Sequence, residues 1–142
     1  MWLMPRPLWT GQFDKSGCPF LRIAVSGPKE RAEYDAVLDT GFTGFLSLPS
    51  KQAERLGLVP RATILLRYAD GAAGYKLTAS VTVTVKGESQ TGIVILEPNS
   101  SELLLGVSFL RLFNRALIVS RLAVALVDED QWADLLANKP AN

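Results

Sequence analysis

The stretch Ala36-Val37-Leu38-Asp39-Thr40-Gly41-Phe42-Thr43-Gly44 decides how the rest of the chain is read. An apolar run of strand character ends on a carboxylate, and two glycines follow in quick succession. Asp followed by Gly is ordinary turn chemistry, so a plain turn is the simplest reading of Asp39-Thr40-Gly41 alone. Gly41 also permits a backbone conformation closed to residues with a Cβ, and lets amide N–H groups approach the carboxylate.

Working outward, short apolar runs punctuated by Gly, Pro and Asn predict small strands. Phe20 to Val25 reads as a strand broken by Ser26-Gly27-Pro28, and Tyr34 to Leu38 as its return. Phe45 to Leu48 is a further short strand. Pro49-Ser50 then opens a helix to about Leu56, with Gly57 as its C-cap. Thr63 to Tyr68 and Tyr75 to Val85 flank Asp70-Gly71-Ala72-Ala73-Gly74, which predicts a long hairpin with a glycine-rich tip. Strict alternation from Val81 to Val85 buries one face. Lys86-Gly87-Glu88 is a turn, and Ile93 to Leu96 has the two-sided apolar character of a central strand. Leu103-Leu104-Leu105-Gly106 leads into a short helix from Ser108 to Leu112. Ala116 to Val119 and Leu122 to Val127 form a last hairpin, and Asp128 to Ala137 has room for a helical turn or two. The expected fold class is all-β with one or two short helices, in a single domain over residues 1–142.

Composition removes whole classes of chemistry. The chain has no histidine, so a Ser-His-Asp triad, a Cys-His pair and a histidine-ligated metal are excluded. A single cysteine, Cys18, excludes an intrachain disulfide and a cysteine-rich zinc site. Fifteen Lys and Arg stand against fourteen Asp and Glu, a net charge of +1 with no basic cluster, so no nucleic-acid partner is expected. No apolar run approaches the roughly 20 residues that span a bilayer. The proline-containing start, Met1 to Pro7, lacks the apolar segment of a signal peptide. The expectation is a cytoplasmic protein without membrane contact.

In this context Asp39-Thr40-Gly41 resembles the catalytic loop of the retropepsin-like aspartic peptidases, an Asp-Thr/Ser-Gly at a strand end. The run to Gly44 resembles the bacterial and archaeal branch, which has Phe after Asp-Thr-Gly. Leu104-Leu105-Gly106 is similar to the family's second hydrophobic-hydrophobic-Gly element, which supports the catalytic loop together with the helix after it. The resemblance covers about residues 20–127 and implies an acid-protease-like closed β-barrel. It implies an endopeptidase in which Asp39 supplies a carboxylate, Thr40 a hydroxyl that bonds across to a partner loop, and Gly41 the close backbone approach. Tyr68, Ala69, Asp70 and Gly71 take the place of the flap over bound peptide, where glycines allow a lid to bend. The motif occurs once, so the second carboxylate must come from another copy, and a twofold axis between two Asp39 side chains implies a homodimer. The substrate implied is a peptide or protein with apolar residues around the cleaved bond, and no metal or organic cofactor is implied. The chain departs from the family at bulky Phe42, where retroviral enzymes carry a small residue, and at Ser108, where many relatives have an acid or amide.

Other residues have simpler readings. Asp35 is a solvated strand residue, too close in sequence to Asp39 to fold back on it. Arg111, Arg115 and Arg121 form a wet face of the last elements. The tryptophans, Trp2, Trp9 and Trp132, all lie in the terminal segments, where they either anchor a dimer or pack on their own subunit. Two rival functions share these residues: a catalytically inactive dimerisation or peptide-binding module on the same fold, and an unrelated small barrel whose Asp-Thr-Gly is only a turn.

Overall fold

A computed structural model describes residues 6–137. In chain order the elements are β1 (Trp9–Thr10), β2 (Gln12–Phe13), β3 (Pro19–Ser26), β4 (Arg31–Leu38), β5 (Leu46–Pro49), α1 (Ser50–Leu56), β6 (Ala62–Arg67), β7 (Ala73–Val85), β8 (Glu88–Glu97), β9 (Leu103–Leu105), α2 (Val107–Leu112), β10 (Arg115–Val119), β11 (Val124–Asp128) and α3 (Glu129–Ala137). No helix among the described residues is long and apolar enough to cross a membrane.

The strands β3-β4-β9-β5-β8-β7 are hydrogen-bonded in that order, and β7 pairs back to β3 through Val25↔Val83, which closes the barrel. The all-β barrel expected from the sequence is thus present. Its helices number three among the described residues, the third lying where the sequence left room for a turn or two. Alternation drives closure, since Val81, Val83 and Val85 point inward beside Leu21, Ile23 and Val25. Two turns behave as their residues require. Gly57 ends α1 at φ 76°, and Lys86 and Gly87 (φ 47° and 84°) make the tight β7–β8 turn. Ile93 departs from the central-strand reading, since it is exposed while Val94, Ile95 and Leu96 are buried.

A second, three-stranded sheet, β1-β11-β10, lies outside the barrel; it selects one of the two readings of Trp9 and overturns the reading of Arg115. Trp9 is not an interface residue: it is fully buried in its own chain, edge-on to Phe113 at 5.3 Å. Arg115 is not on a wet face. Its side chain is fully buried, stacked 4.0 Å from the Trp9 ring, and donates to Glu88 Oε2 and Pro7 O, both at 2.6 Å. The cause is the pairing Arg115↔Asp128, which turns this arginine inward among acceptors and an aromatic face. Arg111 and Arg121 are exposed as expected, and Asp35 is an exposed partner of Arg22 at 3.1 Å. Trp2 lies outside the described residues. Trp132 is partly exposed on α3, a helix with no buried residue.

Arg6 completes a clasp between this sheet and the barrel. Its guanidinium donates to Glu88 Oε1 at 3.0 Å, to Phe113 O at 3.1 Å and to Asp128 Oδ1 at 3.2 Å, while its backbone N–H donates to Asp128 Oδ2 at 2.9 Å.

Candidate active site

The site begins where β4 ends. Its parallel ladder with β9 runs Ala36↔Leu103, Val37↔Leu104 and Leu38↔Leu105. The Asp39 N–H extends it by donating to Leu105 O at 2.9 Å. The chain then turns, with Phe42 N–H donating to Asp39 O at 3.1 Å and Gly41 N–H to Asp39 Oδ1 at 2.9 Å. Half of the sequence argument for Gly41 therefore holds. Its amide does approach the carboxylate, and a Cβ there would sit 3.1 Å from Asp39 Oδ1. The other half fails, because Gly41 does not occupy the left-handed region. Thr40 is exposed, and its hydroxyl has no partner among the described residues.

The loop is held from beneath by α2. Val107 N–H donates to Phe42 O at 2.9 Å, and Ser108 donates to Thr43 O through its hydroxyl at 2.9 Å and its N–H at 3.2 Å. Gly106 is where the two pieces touch, since a Cβ there would lie 2.3 Å from both Gly44 O and Phe42 O. Bulky Phe42 is accommodated by the same glycines. Its ring would meet a Cβ at Gly44 at 2.5 Å and one at Gly106 at 2.7 Å, so it fills space that two missing side chains leave.

Opposite the loop stands the ribbon β6/β7, paired from Ala62↔Thr78 to Arg67↔Ala73. Its tip is a three-residue loop with a bulge. Gly71 N–H donates to Tyr68 O at 3.0 Å, Tyr68 N–H donates to Ala72 O at 2.8 Å, and Gly71 takes φ 87°. The Asp70 carboxylate fixes the tip by accepting Ala72 N–H at 2.9 Å. The ribbon leaves the barrel beyond Thr78↔Ile95, the last β7/β8 pair. Just past that fork, Lys76 Nζ lies 3.1 Å from Glu97 Oε2 and 5.9 Å from the centre of the Tyr68 ring. The Glu97 hydrogen bond, and next that of Tyr68, holds the Lys76 ammonium above its usual range.

A cleft of about 390 Å³ separates ribbon and loop. Asp39 and Gly41 line it from the loop, and Tyr68 and Ala69 from the ribbon, so four residues picked from the sequence meet there. Thr40, Asp70 and Gly71 do not line it. Sequence reasoning missed Leu66, Arg67 and Glu97, and also the floor row Leu104–Ser47–Ile95, which lies side by side across β9, β5 and β8. Ser47, a hydroxyl between two leucines in a short buried strand, was the available signal.

Residues 22–109 match the family model described as aspartyl protease. Among solved structures, a retropepsin-like aspartic protease from Rickettsia conorii is similar with TM-score 0.62 and 14% identity, over 90% of this chain and 97% of that one. The EIAV protease complexed with the inhibitor HBY-793 is similar with TM-score 0.56 and 16% identity, over 76% of this chain and 99% of the viral one. No curated protein matches the sequence. With the barrel, the loop at the end of β4 and the ribbon across the cleft, these matches settle the lineage: the chain belongs to the aspartyl protease family and has the retropepsin-like fold.

Proposed function

We propose that this protein is an aspartic endopeptidase that acts as a homodimer, with the Asp39 carboxylates of two copies facing each other across a twofold axis. The observation that carries the reading is Asp39 itself, lining a cleft roofed by a hairpin ribbon, in a chain with one Asp-Thr-Gly. Two carboxylates brought this close share one proton. The unprotonated one takes a proton from water as its oxygen attacks the peptide carbonyl carbon, and the protonated one gives its proton to the carbonyl oxygen. The resulting tetrahedral diol collapses as the C–N bond breaks and the amine leaves with a proton. Within one chain Asp39 Oδ1 accepts from Gly41 N–H, which orients the carboxylate at the mouth of the loop. The exposed Thr40 hydroxyl serves as the bond to the partner loop in this reading. Trp132, Leu135 and Leu136, exposed on α3, are terminal apolar groups available to a second copy.

The test is incubation of the purified protein with a diverse peptide mixture from acidic to neutral pH, beside Asp39→Ala, with sedimentation to establish the dimer. Cleavage by the native dimer, absent in the variant, is the expected result. A folded dimer that binds peptides and cleaves none would replace the peptidase by a peptide-binding module.

A further inference from the structure

The polar groups of the cleft are not equally engaged. Glu97 is held by Lys76 Nζ at 3.1 Å. Ser100 Oγ donates to Glu102 O at 3.1 Å and accepts the Glu102 N–H at 3.2 Å. Three lining side chains, Thr43, Ser47 and Arg67, have no hydrogen-bond or ion-pair partner among the described residues; Thr43 is an exposed hydroxyl of the Asp39 loop, whereas Ser47 lies on the floor and Arg67 on the ribbon. Ser47 is only 5% exposed and sits in register between Leu104 and Ile95, so its hydroxyl interrupts an otherwise aliphatic floor. The Ser47 hydroxyl is not sealed from the cleft, so it is free to bond a ligand group that enters there. Arg67 is the last residue of β6, exposed beside the ribbon tip, and its guanidinium offers donors and no acceptor.

The unengaged capacity of Ser47 and Arg67 includes donors, and one of them is a fixed cation. A carboxylate, which only accepts, is the complementary group, and charge-assisted hydrogen bonds are the stronger kind. The aliphatic neighbours Leu66, Ile95 and Leu104 suit apolar side chains on either side of it. Resting on the peptidase reading above, we infer that the cleft selects peptides that carry an acidic side chain among apolar ones, with Arg67 and Ser47 as the specificity-determining residues.

The experiment uses non-hydrolysable peptide isosteres, reduced at the would-be scissile amide, in which one Glu or Gln is moved along an apolar sequence. Binding to the full-length native protein is measured by fluorescence anisotropy. At one position the Glu isostere should bind about five- to tenfold tighter than its Gln counterpart, a modest ratio because Arg67 is exposed. The ratio should fall to about one in Arg67→Ala, be partly retained in Arg67→Lys and be reduced in Ser47→Ala. A ratio near one at every position, a ratio that survives Arg67→Ala, or no binding of any isostere would overturn the inference. Cleavage of the matching unmodified peptides is scored separately. Its absence beside a clear Glu preference would sink the peptidase reading and leave the specificity assignment standing.

Discussion

Replacing Asp128 by Asn tests the clasp that ties the N-terminal segment to the barrel. Asp128 is 5% exposed and accepts the backbone N–H and Nε of Arg6 on Oδ2, at 2.9 and 3.2 Å. The Arg6 side-chain hydrogen bond is the main cause that lowers its carboxyl from 3.8 to about 2; burial opposes it, and the N–H groups of Arg6 and Asp130 reinforce it. In the unfolded chain the same carboxyl titrates near its ordinary value. Above about pH 4 both states are therefore ionised, and the native contacts contribute about 2 kcal/mol of stability. As the pH falls toward about 2, the unfolded state takes up its proton first, and this contribution is lost. Asn is as good an N-cap as Asp, so the bond to Asp130 N–H at the start of α3 survives, while the charge and the two Arg6 bonds on Oδ2 are lost together. Urea unfolding at fixed protomer concentration should show Asp128→Asn less stable by about 2 kcal/mol near neutral pH, or roughly 4–8 °C in Tm. The gap should close progressively between about pH 4 and pH 2. A gap that stays constant over that range would refute the reasoning, because a steric effect of the amide does not titrate.

Two further outcomes follow from contacts around the cleft. Gly106→Ala places a Cβ 2.3 Å from two backbone oxygens that cannot swing aside, so a loss of about 3 kcal/mol or more is expected in thermal unfolding; a neutral effect would mean that α2 is not seated on the loop as described. Lys76→Met removes the ion pair at the fork of the ribbon, where both side chains are about four-fifths buried, and should weaken closure by about 1 kcal/mol. Amide exchange should then speed up roughly fivefold within Ala62–Thr78 and not in β3; uniform acceleration across the chain would contradict a local role.

The barrel was legible because its signals are local. Alternation from Val81 to Val85, proline at the entry to α1, glycine at its exit and the Lys86-Gly87 turn each act over a few residues, and each holds in the structure. The cleft was half legible, since Asp39 and Tyr68 announce themselves through motif and hairpin. The floor row Leu104–Ser47–Ile95 depends on register between strands far apart in sequence. The clasp was not legible at all. Arg6 and Asp128 stand 122 positions apart, and nothing near Arg115 distinguishes a buried arginine from a solvated one. Trp9 stays open between two readings for the same reason, because a terminal tryptophan can face a partner or its own subunit until β1 pairs with β11 and turns it inward.

That buried clasp bears on the candidate active site through an unbroken series of ring contacts. Phe45, just beyond the Asp39 loop, lies 6.1 Å from Phe109 of α2, and Phe109 lies 4.8 Å from Phe113. Phe113 meets Trp9 at 5.3 Å, and Arg115 caps the column at 4.0 Å above the indole. At its near end α2 holds Phe42 and Thr43 by hydrogen bonds; at its far end Arg6, Glu88, Arg115 and Asp128 balance two cations against two carboxylates. A functional carboxylate needs a support that does not yield when substrate binds, and packed aromatic rings over a charge-balanced ionic base provide one. The N-terminal segment from Arg6 to Trp9 is therefore part of the foundation of the Asp39 loop, within its own subunit. With the Asp128 carboxyl held at about 2 by Arg6, the bond between these two residues persists well into the acidic range.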